Sequence, residues 1–178
     1  MKAANSNTQW KFKWFWAWQD EKEEDWLSEM SRQGWHLLEP GLLGFYVFQA
    51  GPPKKYIYRL DFQSDYQMDK DEYLKLFADA GWQHLGKMGG WQYFRKAVRA
   101  DESAEIFTDA DSKIAKYRRL ILYLVTLLPI LTFSLIMLPN WRPGIFTSIL
   151  LVIFGGFFIL YAVAMLALLR RINQLKRL

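Results

Sequence analysis

Apolar and polar positions alternate along residues 10–18, where aromatic side chains occupy every second position and Lys11 and Lys13 begin the opposite side. Period-two alternation rich in aromatic residues predicts a β-strand. The aromatic side of this strand consists of Trp10, Phe12, Trp14, Trp16 and Trp18. We interpret this row as core beneath a layer of helices, because a fully exposed aromatic stripe favours aggregation. A stacking platform for a sugar or a base is the alternative.

The pattern changes to helical spacing at residues 20–33. Trp26, Leu27 and Met30 form an apolar stripe on one side of the predicted helix. Gly34 follows the last polar turn and is expected to end the helix in a left-handed conformation.

The first turns of this helix are rich in acidic residues: Asp20, Glu21, Glu23, Glu24 and Asp25. Asp20 and Glu23 have the spacing of a capping box, in which the first side chain caps the helix and the second reaches back. Carboxylates in a first turn also favour the positive end of the helix dipole. We prefer this interpretation to a pair of catalytic carboxylates, since the sequence shows no neighbour that would shift their pKa values.

Residues 26–35 resemble residues 73–82 at an ungapped offset of 47. Each segment reads as the end of a helix, a glycine stop and a tryptophan that begins a strand. The strand at 54–62 likewise matches the strand before the first helix, at an offset of 46. Further strands are predicted at 35–39, 44–48, 82–85 and 91–95. We therefore predict an α+β domain made of two strand–helix–strand–strand repeats, residues 10–53 and 54–96, that form an antiparallel sheet with both helices on one face.

Two long apolar segments follow, residues 120–138 and 145–169, each long enough to cross a hydrocarbon core of about 30 Å. The six residues between them, 139–144, predict an antiparallel transmembrane hairpin. The other expected parts are a disordered N-terminus (1–9), a linker with a basic juxtamembrane helix (97–119) and a basic cytoplasmic tail (170–178).

Basic residues and one tryptophan flank the predicted spans: Lys113, Lys116, Arg118, Arg119, Trp141, Arg170 and Arg171. Because the positive charge lies before the first span and after the second, we expect both termini and the N-terminal domain in the cytoplasm, at the cell membrane. The N-terminus has no apolar segment typical of a signal peptide. Neither span contains an Asp, Glu, Lys, Arg or His side chain, which argues against an ion or proton pathway.

The formal net charge of +5 comes from the membrane flanks. Residues 1–112 contain 14 Lys and Arg against 18 Asp and Glu, so we expect no direct nucleic-acid binding. The chain has no cysteine, and its two histidines, His36 and His84, are a weak basis for a metal site. We therefore expect neither metal nor cofactor, and we find no catalytic constellation.

Several short segments, taken in order, resemble the bacterial family known as domain of unknown function 2812. They are Phe15-Trp16-Ala17-Trp18-Gln19-Asp20, Trp26-Leu27-x-x-Met30, Gly34-Trp35, Tyr58-Arg59-x-Asp61-Phe62, Ala80-Gly81-Trp82 and Ile106-Phe107-Thr108-Asp109-x-x-Ser112-Lys113. The resemblance covers about residues 10–119. It implies a short membrane-anchored protein of Gram-positive bacteria, often encoded beside a PadR-type transcriptional regulator, with no assigned catalytic residues.

Two functional hypotheses follow. The first is a membrane-anchored regulatory or interaction protein without catalytic activity, whose partners are membrane lipids and a protein, either a transcriptional regulator or a membrane protein. Self-association stays open. The second is a small membrane-associated enzyme or ligand-binding accessory subunit that uses an aromatic cleft between the repeats. Its candidate ligand-binding residues are Trp14, Trp16, Trp18, Arg59 and Asp61.

Overall fold

The computed structural model describes residues 7–63, 70–97, 110–137 and 144–177. The chain divides into two compact units, Met1–Thr108 and Asp109–Leu178. The elements of the first unit are β1 (Thr8–Phe12), α1 (Asp20–Arg32), β2 (Trp35–Pro40), β3 (Phe45–Ala50), β4 (Tyr56–Phe62), α2 (Lys70–Asp79), β5 (Gln83–Met88) and β6 (Trp91–Ala97). A short 3-10 turn, Leu42–Gly44, joins β2 to β3.

The strands form two three-stranded antiparallel sheets, in the orders β1-β3-β2 and β4-β6-β5. The antiparallel pairing expected from the sequence is confirmed, and the strands divide between two sheets, a number that the sequence leaves open. The edge strands β2 and β5 contact each other without belonging to one sheet. Each of these two strands has a register shift, between Leu37 and Glu39 in β2 and between His84 and Gly86 in β5. Such irregularities bend a strand and interrupt its hydrogen-bonding edge, which explains why the two sheets do not continue into each other.

The two helices pack against different clusters of side chains. Leu27 and Met30 of α1 share a core with residues of both sheets, including Tyr58, Leu60 and Tyr93. Helix α2 instead packs Tyr73 and Phe77 against Phe94. Tyr93 and Phe94 are consecutive in β6, so they point to opposite faces of the second sheet. The expectation of both helices on one face is thus wrong, because α1 packs on core residues of both sheets and α2 packs on the other face of the second sheet.

The predicted helix stops are confirmed. Gly34 and Gly81 have φ angles of +84° and +82°, and β2 begins at the next residue, Trp35. The predicted capping box at the start of α1 is wrong. The N-cap of α1 is Gln19, which makes no side-chain cap hydrogen bond, and Asp20 is already helical. The corresponding N-cap expected at Asp69 lies outside the described residues.

The aromatic row of the first strand is not core. Strand β1 begins at Thr8, within the segment expected to be disordered, and ends at Phe12. The exposed fractions of Trp10, Phe12, Trp14 and Trp16 are 66%, 62%, 48% and 38%. Pairing with β3 stops where Phe12 meets Phe45, so residues 13–16 have no strand partner there. On the opposite side Lys11 is half-buried, and its ammonium lies 4.6 Å from the centre of the Trp35 ring.

The second unit consists of α3 (Ala110–Met137) and α4 (Ile145–Leu175), which contact each other. Among the residues that the structure describes, α4 is the one helix long and apolar enough to cross a membrane. The span predicted at 120–138 lies in α3 up to Met137, and the two-span hairpin stays a prediction. Lys113, Lys116, Arg118 and Arg119 lie on the first turns of α3, where Lys116 is buried. Arg170 and Arg171 lie near the end of α4, and Trp141 lies outside the described residues.

Candidate functional site

A cavity of about 140 Å³ lies inside the first unit, between α1 with the segment before it and the second sheet. We call it the seam cavity, because its walls come from both of the segments predicted as repeats. Its lining residues are Phe15, Trp16, Ala17, Asp20, Glu23, Leu60, Met88, Trp91 and Tyr93. Trp16 is partly exposed whereas Glu23, Leu60 and Tyr93 are buried, so the cavity leads from the surface into the core.

A tight turn before α1 places the outer wall. The amide of Gln19 donates to the carbonyl of Trp16 at 2.8 Å, and the Gln19 side chain accepts from the Trp16 amide at 3.2 Å. This turn directs the chain from the end of β1 into α1. It brings Phe15, Trp16 and Ala17 beside the first turn of the helix, where Asp20 is buried.

The inner end of the cavity is formed by the carboxyl group of Glu23. Its Oε1 accepts hydrogen bonds from the hydroxyls of Tyr93 at 2.6 Å and Tyr46 at 2.8 Å. The two tyrosines lie in the middle strands of the two sheets, β6 and β3, and are 47 residues apart in the sequence. A single carboxyl group of α1 therefore joins the centres of both sheets.

Burial governs the protonation of this cluster. It raises the pKa of Glu23, and the nearby charge of Asp20 adds to the rise, while the bonds from Tyr93 and Tyr46 lower the pKa in part. Burial and the charge of Glu23 raise the pKa of Tyr46 and of Tyr93, so both tyrosines keep their protons and remain donors. Glu23 is therefore the group of this cluster whose protonation changes at the lowest pH, since both tyrosines have pKa values raised above 10.

Aromatic rings form the remaining walls. Trp16 stacks on Trp18 with ring centres 5.4 Å apart and an interplanar angle of 4°, and it meets Trp14 edge to face at 5.6 Å. Of the three candidate tryptophans, Trp16 lines the cavity, whereas Trp14 and Trp18 support its outward side. Trp91 lines the opposite wall and packs edge to face on Phe62 at 5.4 Å.

The two charged candidates, Arg59 and Asp61, are not among the lining residues. The guanidinium of Arg59 lies 3.2 Å from Glu24 Oε2 and donates to its own neighbour's carbonyl, that of Tyr58. Asp61 is buried and accepts from the Tyr73 hydroxyl at 3.0 Å. Arg59 therefore links β4 to α1, and Asp61 links β4 to α2. The residue between them, Leu60, lines the cavity.

Sequence reasoning missed the two carboxylic acids of the cavity as site residues. A signal for Glu23 was present, because positions 23, 26, 27 and 30 follow the helical spacing of the apolar stripe. An acidic residue on the buried side of an amphipathic helix needs hydrogen-bonding partners. Those partners lie 23 and 70 residues further along the chain, and no local pattern points to them.

The two histidines are held apart. His36 bonds to Ser31 Oγ and to the carbonyl of Pro52, and His84 bonds to the Gln92 side chain at 2.9 Å. Within residues 7–63, 70–97, 110–137 and 144–177, no group of three or more His, Cys, Asp or Glu side chains could hold a metal ion.

The arrangement suits a small positively charged ligand. The faces of aromatic rings attract cations, by about 0.5–2 kcal/mol for each well-placed ring. A buried carboxylate needs a partner charge, and Asp20 and Glu23 would provide two such groups to a cation. A cavity of about 150 Å³ holds a ligand of benzene size, which sets the scale for this one.

Comparison with known proteins identifies the family. A family model described as a protein of unknown function, DUF2812, matches residues 19–129, well over half of the chain, so the chain belongs to this family. A search of curated proteins and a search of solved structures each found no match.

Proposed function

We propose that this DUF2812 protein is a membrane-anchored regulatory protein without catalytic activity, whose N-terminal domain binds a small organic cation in the seam cavity. One observation carries this function: two buried carboxyl groups, of Asp20 and Glu23, line a cavity whose other walls include four aromatic rings. These are the rings of Phe15, Trp16, Trp91 and Tyr93. The described lining residues include no serine, cysteine, lysine or histidine, which favours reversible binding over covalent catalysis.

The ligand class follows from size and charge. A cavity of about 140 Å³ accommodates a molecule with an aliphatic or methylated ammonium group and few other atoms. Ionised Glu23 would then face a compensating charge, and binding would release its proton whenever the pH lies below the raised pKa of that group. The tightest binding is therefore expected at high pH.

A choline titration of the detergent-solubilised full-length protein, followed by tryptophan fluorescence, tests this function. Choline is compared with 3,3-dimethylbutan-1-ol, its uncharged isostere. We expect saturable binding of choline with at least tenfold weaker binding of the alcohol, since one missing ion pair of about 1.4 kcal/mol changes affinity tenfold. Glu23→Gln keeps an oxygen that can accept from both tyrosines but cannot ionise, and it should weaken choline binding tenfold or more.

Glu29→Gln is the matched control, because Glu29 lies on the same helix but is exposed and bonded to Arg32 and Gln33. It should bind choline like the wild type. Equal affinity for choline and its isostere, or an unchanged affinity in Glu23→Gln, would contradict cation recognition. A flat response to choline and to tetramethylammonium at every pH would contradict the ligand-binding function as a whole.

We further propose the orientation in which both termini and the N-terminal domain are cytoplasmic. The apolar helix α4 and the basic residues at its end, Arg170 and Arg171, support it through the positive-inside rule. The cysteine-free chain allows single reporters at Asn7→Cys and Arg177→Cys, both at exposed positions. A membrane-impermeant maleimide should label either one only after the cells are permeabilised, and labelling in intact cells would exclude this orientation.

A regulatory role requires a protein partner. We propose two classes of partner: a transcriptional regulator or a second membrane protein. Cross-linking of the tagged full-length protein in its own membranes, followed by mass spectrometry, identifies such a partner. Recovery of the protein without any reproducible cross-linked partner would argue for a ligand-binding protein that acts alone.

We also propose that residues 10–53 and 54–96 are copies of one ancestral unit. The equal strand order of the two sheets supports this origin, as do the register shifts in β2 and β5, which lie 47 residues apart. An experimental structure in which one of these two shifts is absent would count against it.

A further inference from the structure

The outer face of the first sheet carries aromatic side chains along its β1 edge. Phe12 and Phe45 pair directly across β1 and β3, with ring centres 5.1 Å apart, so they lie on the same face. Trp10 follows on that face two residues earlier in β1, opposite Val47. All three aromatic side chains are exposed.

This face continues into the tip of the β2–β3 hairpin. Leu42 and Leu43 at this tip are 77% and 64% exposed. The amide of Lys13 donates to the carbonyl of Gly44 at 2.8 Å, which fixes the tip beside the end of β1. We call the combined surface the apolar tip face: Trp10, Phe12, Leu42, Leu43 and Phe45.

The tip is held in an unfavourable backbone conformation. Leu43 has a φ of +56°, in the left-handed region that a leucine rarely adopts. Gly44 follows with a φ of +82°. Together they project two leucine side chains from the end of a hairpin, whereas a glycine or an asparagine at position 43 would serve the turn alone. Strain of this kind that exposes an apolar side chain indicates a role outside the fold.

Charged side chains of both signs lie near this face. Lys13 is exposed and precedes the aromatic residues of the turn, and Lys11 lies on the opposite side of β1. Glu39, in the edge strand β2, pairs with Val47 of the central strand β3 and so lies on the same face as Trp10. Leucine, phenylalanine and tryptophan beside a lysine are the side chains that enter the boundary between lipid headgroups and acyl chains.

We propose that the apolar tip face docks on a lipid bilayer, with Leu42 and Leu43 inserted below the headgroups. A bilayer fits better than a second copy of this chain, because a projecting pair of leucines suits a fluid apolar phase and the chain itself carries a candidate membrane-spanning helix. The docking would hold the seam cavity at the membrane surface, independently of what the cavity binds.

Site-directed spin labels test the docking, because the chain has no native cysteine. The full-length protein is reconstituted into vesicles of 70% phosphatidylcholine and 30% phosphatidylglycerol with a single label at Leu42→Cys, Leu43→Cys or Leu76→Cys. Leu76 on α2 is the matched control, since its exposed fraction of 63% is close to the 64% of Leu43 but it lies outside the apolar tip face. The measured quantity is the ratio of collisions with oxygen to collisions with a water-soluble nickel chelate.

We expect this ratio to be at least fivefold higher for labels at 42 and 43 than at 76, in every variant that keeps the wild-type thermal transition. Equal ratios at all three positions would overturn the docking. A second outcome would also overturn the docking: spin–spin broadening at 42 and 43 that disappears on dilution with unlabelled protein, with no preference for oxygen collisions. That result would show that a second copy of the chain covers the face. Because neither readout depends on choline, failure here leaves the seam cavity unaffected.

Discussion

At the scale of single residues, the carboxyl group of Glu23 has the most consequences. Two tyrosines from different sheets donate to the same oxygen, at 2.6 and 2.8 Å. Hydrogen bonds to a charged acceptor are worth about 1.5–3 kcal/mol each, yet burial still raises the pKa of Glu23. Desolvation therefore outweighs the two bonds, and folding shifts the equilibrium of Glu23 toward the protonated acid relative to an exposed glutamate.

The pH dependence of stability follows from this shift. Because the folded pKa of Glu23 is raised above its usual value near 4.5, its contribution to stability is complete below that value. The contribution is then lost as the pH rises through the folded pKa. Glu23→Gln cannot ionise and does not suffer this loss. The melting temperature of Glu23→Gln relative to wild type should therefore increase between pH 4 and neutral pH, measured by circular dichroism in a buffer without amines.

Glu29→Gln provides a control of opposite sign. Hydrogen bonds from Gln33 and Arg32 lower the pKa of the exposed Glu29, so its small contribution is present at neutral pH and is lost as the pH falls. A melting-temperature difference between Glu23→Gln and wild type that stays constant with pH would show that Glu23 keeps its ordinary pKa in the folded protein.

Sequence alone could locate some of these residues and not others. Gly34 and Gly81 were predictable because a left-handed helix stop is a local requirement that a glycine meets by itself. Asp20 and Glu23 satisfied a local pattern, the capping box, that the folded chain does not use. Their role depends on Tyr46 and Tyr93, whose approach is fixed by the packing of both sheets on α1 and by nothing near them in the sequence.

At the scale of elements, β1 shows how alternation can mislead. The pattern predicted a strand at 10–18 and assigned the aromatic side to the core, but period two does not tell which side faces inward. In the structure the lysine side packs on aromatic rings instead: Lys11 is half-buried, and the ammonium of the exposed Lys13 is 5.1 Å from the centre of the Trp26 ring. The strand ends at Phe12 because β3, its partner, begins opposite that residue.

A second prediction concerns the hairpin tip between β2 and β3, where Leu43 and Gly44 both have a left-handed backbone conformation. Leu43→Asn should increase the free energy of unfolding by about 0.5–1 kcal/mol, because asparagine adopts a positive φ at lower cost than leucine. Gly44→Ala should decrease it by about 1–3 kcal/mol, since a Cβ at Gly44 would lie 2.8 Å from the Lys13 carbonyl oxygen at a φ of +82°. Thermal unfolding of both variants in detergent measures the two changes.

The opposite signs make this comparison specific to backbone conformation. Loss of stability in Leu43→Asn equal to that in Gly44→Ala would show that Leu43 contributes packing to the folded domain, and the tip would then be a structural element. A higher free energy of unfolding in Leu43→Asn would show that leucine at this position does not serve stability, which supports the proposed membrane contact.

At the scale of the whole molecule, the first unit has a core that neither of its halves completes. Leu27 and Met30 come from the first half, Tyr58 and Leu60 from the second, and all four belong to one buried cluster. The Ser31 hydroxyl lies 2.7 Å from the Tyr58 hydroxyl, and Glu24 accepts from the Leu60 amide at 2.8 Å. Helix α1 thus packs on the edge strand of the other half, where its carboxylate also blocks that edge from pairing with other chains.

This shared core predicts how fragments behave. The fragment 1–108 corresponds to a compact unit and should unfold in one cooperative thermal transition. Fragments 1–53 and 54–108 should each lack such a transition, because separation leaves α1 without β4 and exposes one side of the buried cluster. Mixing them should restore the transition and the protection of Tyr58 and Tyr93 amides from hydrogen exchange. A cooperative transition in 1–53 alone would show instead that the first sheet and α1 form an independent domain, and the seam cavity would then be an interface between two domains that can separate.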